Sequence, residues 1–396
     1  MAKLTVDQLE LSGRRVFLRV DFNVPIHGGR VTDDTRITAA LPTVQHCLKA
    51  GASLVVASHL GRPKGKPDRT YSLEPVAERL GQILGQPVPL APDCVGPEVQ
   101  QQVTALQPGQ ILMLENLRFH AEEEANDDGF GQELASLANV YVNDAFAAAH
   151  RAHASIEAIT RHLRPAAAGL LMARELTALE RILGDPERPV WAILGGAKVS
   201  DKLALVENLL GRVDGLLIGG GMAFTFLASL GHGIGRSLVE TDRIDMARAV
   251  LDRARSRGIP ARLPVDVVVA TSVDDQSGLR TVAVREIPAD RMGLDIGPAT
   301  VAQFRAALSR AKTVVWNGPM GVFEKPPFDK GTVAVAQAVA NSGATSVVGG
   351  GDSEKAVKAA GVAKQISHIS TGGGASLEFL AGIELPGVAA LAAVPK

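Results

Sequence analysis

The sequence is poor in the residues that would assign it to a specialised class of protein. It has 396 residues but only two cysteines, Cys47 and Cys94, and aromatic residues make up 4% of it. So few cysteines exclude a disulfide framework. One disulfide remains possible, but buried free thiols in a reducing cytosol are favoured. The 41 glycines indicate many tight backbone turns rather than aromatic stacking surfaces.

Excess charge and long apolar runs are also missing. The formal net charge is −1, so we expect no general attraction to nucleic acid or to an anionic membrane. The N-terminal segment MAKLTVDQLE lacks the apolar core of a signal peptide. Because no run reaches about 18 apolar residues, no membrane span is predicted. The sequence therefore predicts a cytoplasmic protein with neither a nucleic-acid nor a membrane partner.

What the sequence does contain is an alternation of short apolar runs with helical patterns. The runs are rich in Val, Ile and Leu and lack polar alternation, which is typical of strands buried on both faces of a parallel sheet. Apolar residues spaced by three or four predict helices between them. A chain of this length suits about two or three domains. We therefore predict an α/β fold of two Rossmann-like lobes, each a parallel sheet flanked by helices. The clearest strand predictions are 16–20, 54–58, 111–116, 140–146, 191–196, 216–221, 265–270, 314–319 and 345–353, and the clearest helices are 73–84, 201–213 and 300–311.

The loops of the first half carry charged and imidazole side chains at the ends of the predicted strands. In RVDFNVP, a buried strand stops at Asp21, Asn23 and a proline. This is the carboxyl edge at which open α/β sheets bind ligands. Arginine matches carboxylate and phosphate oxygens, so the group predicts a site for a small anion. Its cationic members are Arg36 in TDDTRI, His59 and Arg62 in HLGRPKGK, Arg118 in ENLRFH and Arg151 in AHRAH.

The loops of the second half carry glycine instead. Consecutive glycine amides form an anion nest, and a following helix adds its N-terminal N–H groups. In GGAKVSDK, Lys198 and Lys202 would share one face if a helix starts there. In GGGDS (349–353), a carboxylate next to a nest suits Mg²⁺ over a polyphosphate. Neither G-x-x-x-x-G-K-[ST] nor a G-x-G-x-x-G after the first strand occurs, which disfavours P-loop enzymes and dinucleotide dehydrogenases. The residues themselves thus predict a phosphoryl transferase that joins a small anion to a nucleotide.

At these same residues the sequence resembles the phosphoglycerate kinase family. The motifs follow one another in the family's order over about residues 16–376. Two alanines, Ala147 and Ala148, stand where the family usually has Gly-Thr, and Ser353 stands where many relatives have Thr. These departures remove no charged group and keep the hydroxyl. The matching motifs are RVDFNVP, SHLGRPKG, ENLRFH, VNDAF, AHRAHAS, LGGAKVSDK, GGGMAFTF, LDIGP, WNGPMGVFE, GGGDS and STGGGAS.

The resemblance implies reversible phosphoryl transfer between 1,3-bisphosphoglycerate and ADP, giving 3-phosphoglycerate and ATP with Mg²⁺. It implies that Arg36 and Lys198 flank the phosphoryl group in transit and that Asp352 lies nearest the metal. The glycerate substrate would contact Asp21, Asn23, Arg36, His59, Arg62, Arg118 and Arg151. The nucleotide would contact Lys202, Gly293, Glu324, Gly350, Gly351, Asp352 and Ser353.

The resemblance also implies a domain plan. Residues 1–170 would form the substrate domain, with 381–396 folding back onto it, and 171–184 would be a connecting helix. Residues 185–380 would form the nucleotide domain, and the lobes of a monomer would close about a hinge. Helical periodicity alone reads the connecting segment as an ordinary surface helix. The alternatives are a non-catalytic nucleotide-binding scaffold, a kinase for another acidic small molecule and, more distantly, a dehydrogenase. The sequence does not distinguish glycolysis or gluconeogenesis from carbon fixation.

Overall fold

A computed structural model describes residues 3–275 and 277–394 of the chain. The outermost residues of the predicted N-terminal and return segments, 1–2 and 395–396, therefore lie outside the described residues. The chain divides into two compact units. The first unit runs up to Thr177 and also includes the chain from Glu384 onward, and the second unit is Ala178–Ile383.

The first unit is built on a five-stranded parallel sheet. The apolar runs form its strands, and all five residues of the strand Ser53–Ala57 are buried, as expected for a sheet covered on both faces. The strands of this unit are β1 (Arg15–Arg19), β2 (Ile26–His27), β3 (Arg30–Val31), β4 (Ser53–Ala57), β5 (Ile111–Met113), β6 (Val140–Asn143) and β7 (Ala166–Ala168). The sheet order is β5-β4-β1-β6-β7, and β2 and β3 form a separate antiparallel hairpin.

Helices connect these strands, and the helices pack their apolar faces on the sheet. Ile37, Val44 and Cys47, for example, belong to the same buried cluster as strand residues Leu18 and Val56. Both cysteines are buried and free, which agrees with the favoured expectation. The helices are α1 (Thr35–Lys49), α2 (Glu74–Leu84), α3 (Pro97–Ala105), α4 (Ala121–Glu124), α5 (Asp128–Ala135), α6 (Ile159–His162) and α7 (Leu170–Leu183).

The C-terminal segment returns to the first unit. Ala392 donates its N–H to Ala166 at 2.9 Å and accepts a hydrogen bond from Leu4 N at 2.8 Å. The short helix Pro386–Ala389 lies next to Ala149, whose carbonyl accepts from Gly387 N at 2.8 Å. These contacts tie residues after Glu384 to the edge strand β7 and to the loop after β6.

The second unit contains a six-stranded parallel sheet and a smaller antiparallel sheet. Its strands are β8 (Val190–Leu194), β9 (Gly215–Ile218), β10 (Ala261–Arg262), β11 (Asp266–Ala270), β12 (Arg280–Ala283), β13 (Met292–Ile296), β14 (Thr313–Asn317), β15 (Thr345–Gly349) and β16 (His368–Ile369). The larger sheet has the order β10-β9-β8-β14-β15-β16. Its helices are α8 (Leu203–Leu209), α9 (Met222–Ser229), α10 (Ile244–Ser256), α11 (Pro298–Leu308), α12 (Lys330–Ala340), α13 (Gly351–Ala359) and α14 (Gly374–Leu380).

Two local predictions from the sequence differ from the structure, one in the direction of strand pairing and one in the bounds of a helix. The run 265–270 was expected in a parallel sheet, but β11 pairs antiparallel with β12 and β13. A buried apolar run has the same composition in either kind of sheet, so the pattern does not carry the direction of pairing. The predicted helix 201–213 is a 3-10 turn (Ser200–Lys202) followed by the shorter α8.

A membrane span requires a helix of sufficient length and hydrophobicity. Among residues 3–275 and 277–394, none of the helices meets both requirements.

Candidate functional site

The first unit gathers charged side chains at the carboxyl end of β1. Arg36, in the first turn of α1, forms an ion pair with Asp21, with 2.5 Å between Nη1 and Oδ2. The other carboxylate oxygen of Asp21 accepts a hydrogen bond from Asn23 N at 3.1 Å. The predicted grouping of these three residues is therefore present within one set of contacts.

Gly61 connects this group to Arg118. Its N–H donates to Asn23 Oδ1 at 3.0 Å, and its carbonyl accepts from Arg118 Nη1 at 2.8 Å. Arg118 is only 4% exposed and lies 3.2 Å from the carboxylate of Glu124 through Nε. A guanidinium held in this way keeps part of its hydrogen-bonding fork for a further oxygen anion.

A buried polar network beneath these residues was not anticipated from the sequence. Arg19, the last residue of β1, donates from Nε to Ser155 Oγ at 2.8 Å and from Nη2 to His59 Nδ1 at 3.2 Å. Ser155 in turn donates through its N–H and hydroxyl to Glu123, at 2.8 and 2.6 Å. Arg19 and Glu123 are buried, so each needs the other groups as partners. Arginine within an apolar strand was the available signal.

The network keeps the histidines neutral. Burial, together with Arg19, Arg118 and Arg151, lowers the pKa of His59 well below its usual value, and the nearby Asp21 only partly opposes this. Burial and the same three arginines lower the pKa of His153 to about 3. Because Arg19 can only donate, His59 Nδ1 is the acceptor, and the neutral ring carries its proton on Nε2.

Asp21 is ionised despite its surroundings. Burial raises its pKa, but nearby positive charge and the N–H of Asn23 outweigh burial, and the net pKa is below the usual value. His59 contributes little of that charge at neutral pH because its own pKa is lowered. Arg36, in direct contact, is therefore the cation that holds Asp21 charged.

The remaining two predicted arginines lie close to this group in different ways. The charge of Arg151 lowers the pKa values of both His59 and Arg118. The two alanines that depart from the family pattern, Ala147 and Ala148, both lie in the 3-10 turn Phe146–Ala148, and Arg151 N donates to Ala148 O at 3.1 Å. Arg62 follows Gly61 directly and is exposed.

The glycine loops of the second unit pack mainly against one another. A Cβ on Gly318 would lie 2.2 Å from Gly195 O, and one on Gly220 would lie 2.6 Å from Gly196 N. Gly196 N itself donates to Pro319 O at 2.8 Å. For these glycines the structure corrects the expectation of anion nests, because their role is to let backbone approach backbone. Sequence cannot distinguish the two uses.

The loop Gly350–Ser353 differs from the other glycine loops. Gly350 has a positive φ of 92° and leads into α13, and a Cβ on Gly351 would meet no atom within 4 Å. Ser353 is buried, and its hydroxyl accepts from Gly318 N at 2.6 Å. Open N–H groups in the first turn of a helix offer a binding place for an anion.

Two further side chains border this loop. Asn317, at the end of β14, donates from Nδ2 to Gly349 O at 2.7 Å and accepts a hydrogen bond from Lys202 Nζ. Burial lowers the pKa of Lys202, while Asp201 and Asp352 act in the opposite direction. The effect of Asp352 on the pKa of Lys202 shows that the two side chains are close enough to interact electrostatically. Asn317 was not singled out from the sequence, although it lies within a quoted motif.

Lys198 is not on a helix face with Lys202. It is exposed in the loop before the 3-10 turn Ser200–Lys202, so the condition for a shared helix face, a helix that starts at Lys198, is not met. The two glycines before Lys198 instead bind the chain at and after the end of β14, because Gly195 N donates to Asn317 O at 2.9 Å and Gly196 N to Pro319 O at 2.8 Å. The helix α8 begins only at Leu203.

A cavity of about 410 Å³ joins several of the predicted nucleotide residues. Gly293, Glu324 and Asp352 all line it. Gly293 lies against Phe224, because a Cβ there would be 2.0 Å from Phe224 Cζ. Most of the other residues that line the cavity are apolar, which suits a flat ring with a polar tail. The second unit therefore offers an apolar cavity that ends near an exposed carboxylate and a helix start.

Comparison with known proteins gives a consistent result over the whole chain. The family model described as phosphoglycerate kinase matches residues 6–383. A phosphoglycerate kinase of Solibacter usitatus is 57% identical over 396 residues, with 99% of this chain and 100% of the relative covered. One of Koribacter versatilis is 56% identical, with 99% of both chains covered. The solved phosphoglycerate kinase of Coxiella burnetii has a TM-score of 0.91 and 41% identity, with 98% of both chains covered.

Proposed function

The chain belongs to the phosphoglycerate kinase family, and on that premise we propose that it catalyses reversible phosphoryl transfer between 1,3-bisphosphoglycerate and ADP, giving 3-phosphoglycerate and ATP. The observation that carries the proposal is the family match over residues 6–383. The cationic group of the first unit and the cavity of the second suit the two substrates, a small anion and a nucleotide.

In this proposal the first unit binds the glycerate substrate. The carboxylate and phosphate oxygens of the substrate accept hydrogen bonds from the arginine guanidinium groups. Asp21 and Asn23 contact the part of the substrate that carries its hydroxyl group. The neutral His59 donates from Nε2. The proposed contacts are Asp21, Asn23, Arg36, His59, Arg62, Arg118 and Arg151. The contacts among these residues support the assignment because they hold the side chains ready before the substrate arrives.

The second unit binds the nucleotide in the same proposal. The base lies in the cavity beside Gly293, the ribose meets Glu324, and the phosphates reach the open first turn of α13. Lys202 and the loop residues Gly350, Gly351, Asp352 and Ser353 contact the phosphates. Lys198, together with Arg36, flanks the phosphoryl group in transit. The transfer then requires the two lobes to close about the connecting helix, with the units acting as substrate and nucleotide domains.

The residues present fit a magnesium ion carried with the nucleotide. Mg²⁺ prefers one or two carboxylates together with substrate phosphates. Asp352 is an exposed carboxylate at the start of α13, and its ion pair with Lys355 is a loose one of 3.6 Å. Asp352 would hold the ion, which would supply positive charge to the phosphate oxygens when bound. For Asp352→Ala we expect weaker Mg·ADP binding in calorimetry and little change in metal-free ADP binding. Asp242→Ala, another exposed aspartate, is the control.

The chemistry requires no general base. The acceptor in the ATP-consuming direction is a carboxylate, which is already ionised at pH 7. The lowered pKa of His59 agrees with this, because a neutral imidazole that donates a hydrogen bond need not change its protonation state. Charge develops on the oxygens of the migrating group, and fixed Lys, Arg and helix N–H groups stabilise it.

A coupled spectrophotometric assay tests the proposed function. We expect turnover with 3-phosphoglycerate, ATP and Mg²⁺, and no turnover when the glycerate is replaced by other small acids. Absence of turnover by the folded protein would contradict the proposal. We also propose that the protein is cytoplasmic and monomeric. Light scattering on the purified protein measures its mass and so tests whether it is a monomer.

A further inference from the structure

Glu240 is bound to the loop that carries Lys198, although it lies far from that loop in the sequence. One oxygen of its carboxylate accepts from Val199 N at 2.6 Å and from Ser200 N at 3.0 Å. The other oxygen accepts from the Ser200 hydroxyl at 2.5 Å. Both residues directly after Lys198 are thus fixed by a single side chain.

The anchor is itself held in place. Glu240 N donates to the Thr225 hydroxyl at 3.1 Å, and Thr225 is a buried residue of α9. On the other side, the Val199 side chain is fully buried. The main chain at Lys198 is therefore joined to a packed helix through Glu240, while the Lys198 side chain remains exposed.

The charge of Glu240 matches this arrangement. Burial raises its pKa, but the hydrogen bonds from Ser200 and Val199 and the positive charge of Lys198 outweigh burial, so the net pKa is lowered. The group is ionised at neutral pH, and hydrogen bonds to an ionised acceptor are roughly twice as strong as neutral ones.

We propose that Glu240 is a positioning residue for phosphoryl transfer, because it fixes the backbone of Val199 and Ser200 and so directs Lys198 towards the migrating group. The inference rests on the proposed function, in which Lys198 contacts that group. Lysine is a flexible point charge, and a misplacement of about 1 Å can cost about 10²-fold in rate. Fixing its main chain is the part of that positioning that the fold can supply.

The first test compares Glu240→Ala with wild type in the coupled assay. We expect kcat to fall about tenfold, with KM for 3-phosphoglycerate changed less than about twofold, because the groups proposed to bind the glycerate all belong to the first unit. Glu207→Ala is the matched control, since Glu207 forms an exposed ion pair with Arg253 on the same unit and should leave kcat unchanged. An unaltered kcat for Glu240→Ala would overturn the proposal.

A double mutant separates positioning from general support of the fold. In a Lys198→Ala background the residue to be positioned is absent, so adding Glu240→Ala should lower kcat by less than about twofold. A further tenfold loss there would show that Glu240 does not act through Lys198, and the inference would be wrong. An inactive wild type would instead contradict the proposed function, so the two failures are distinguishable.

Two milder variants keep the test usable if Glu240→Ala does not fold. Glu240→Gln retains an oxygen that accepts from the two N–H groups, so we expect more than about a third of wild-type kcat. Ser200→Ala removes only the hydroxyl contact, so it should lower kcat less than Glu240→Ala does. If Glu240→Ala does not fold, we expect Ser200→Ala to lower kcat by no more than about threefold. Severe loss in Glu240→Gln with normal melting would contradict positioning through hydrogen bonds.

Discussion

The two units present their anion-binding groups in different ways. In the first unit the groups are long side chains, such as Arg36 and Arg118, held by ion pairs and by carbonyls. In the second unit the open groups are main-chain N–H groups at the start of α13, and most nearby glycines serve to pack loops closely. A site made of side chains can lose one member and keep its fold, whereas a site made of backbone depends on the path of the chain.

The largest effect is expected where a side chain does act in the second unit. Lys198→Ala should lower kcat by about 10²-fold or more, because it removes positive charge from the migrating phosphoryl group. Steady-state kinetics at saturating substrates measures this loss. Lys364→Ala, another exposed lysine of the same unit, is the control and should be near wild type. Near-normal turnover of Lys198→Ala would remove Lys198 from the reacting centre.

A pair of glycine variants tests the backbone half of the comparison. Gly318→Ala should destabilise the protein by about 2–4 kcal/mol, since φ is +91° and the new Cβ would lie 2.2 Å from Gly195 O. Gly351→Ala has open space around it and should melt near wild type. It should nevertheless weaken ADP binding, because in the proposed function the first turn of α13 contacts the phosphates. Chemical denaturation and calorimetry measure the two effects. Equal stability loss in both variants would contradict the distinction between packing and open glycines.

Removing one cation from the first unit should affect binding more than folding. Arg62 is exposed, so Arg62→Ala should raise KM for 3-phosphoglycerate about tenfold and leave KM for ATP and the melting temperature unchanged. Arg14→Ala, at the amino end of β1, is the control because ligands bind at the opposite edge. If KM for 3-phosphoglycerate were unchanged, Arg62 would not contact that substrate.

The smallest effect concerns the pH dependence of the first unit. The folded pKa of Asp21 is below its unfolded value of about 3.9. Its ion pair therefore contributes stability that is fully present above that value and is lost as pH falls through the folded pKa. Without substrate, Asp21→Asn should cost about 1 kcal/mol at pH 7, with the difference vanishing in strong acid. Denaturation at several pH values checks this. A difference that grows on acidification would have the wrong sign.

The sequence predicted most strands of the two parallel sheets, because uninterrupted apolar runs are local signals. It did not predict β7, whose three alanines carry no strand signal, the two-residue strands β10 and β16, or the antiparallel pairing of β11. These features are decided by which neighbouring strand is available in three dimensions. The assignment of the site residues stays a prediction.

The supporting residues were harder to find than the exposed ones. Arg19 donates to Ser155, which lies 136 residues further along the chain, and Ser155 donates to Glu123. Glu240 accepts from Val199, which lies 41 residues earlier. Such contacts leave no periodic trace. The use of a glycine for packing or for an open amide is likewise a property of its neighbours in space, as Gly318 and Gly351 show.

Hydrogen exchange with each substrate alone tests most directly whether the two units bind different anions in different ways. With 3-phosphoglycerate alone, we expect slower exchange at amides of the first unit around 21–23, 60–62 and 117–119, and no change around 350–353. With Mg·ADP alone, we expect the reverse pattern, with protection at 350–353 and 292–294. Protection of the same unit by both ligands would contradict the account.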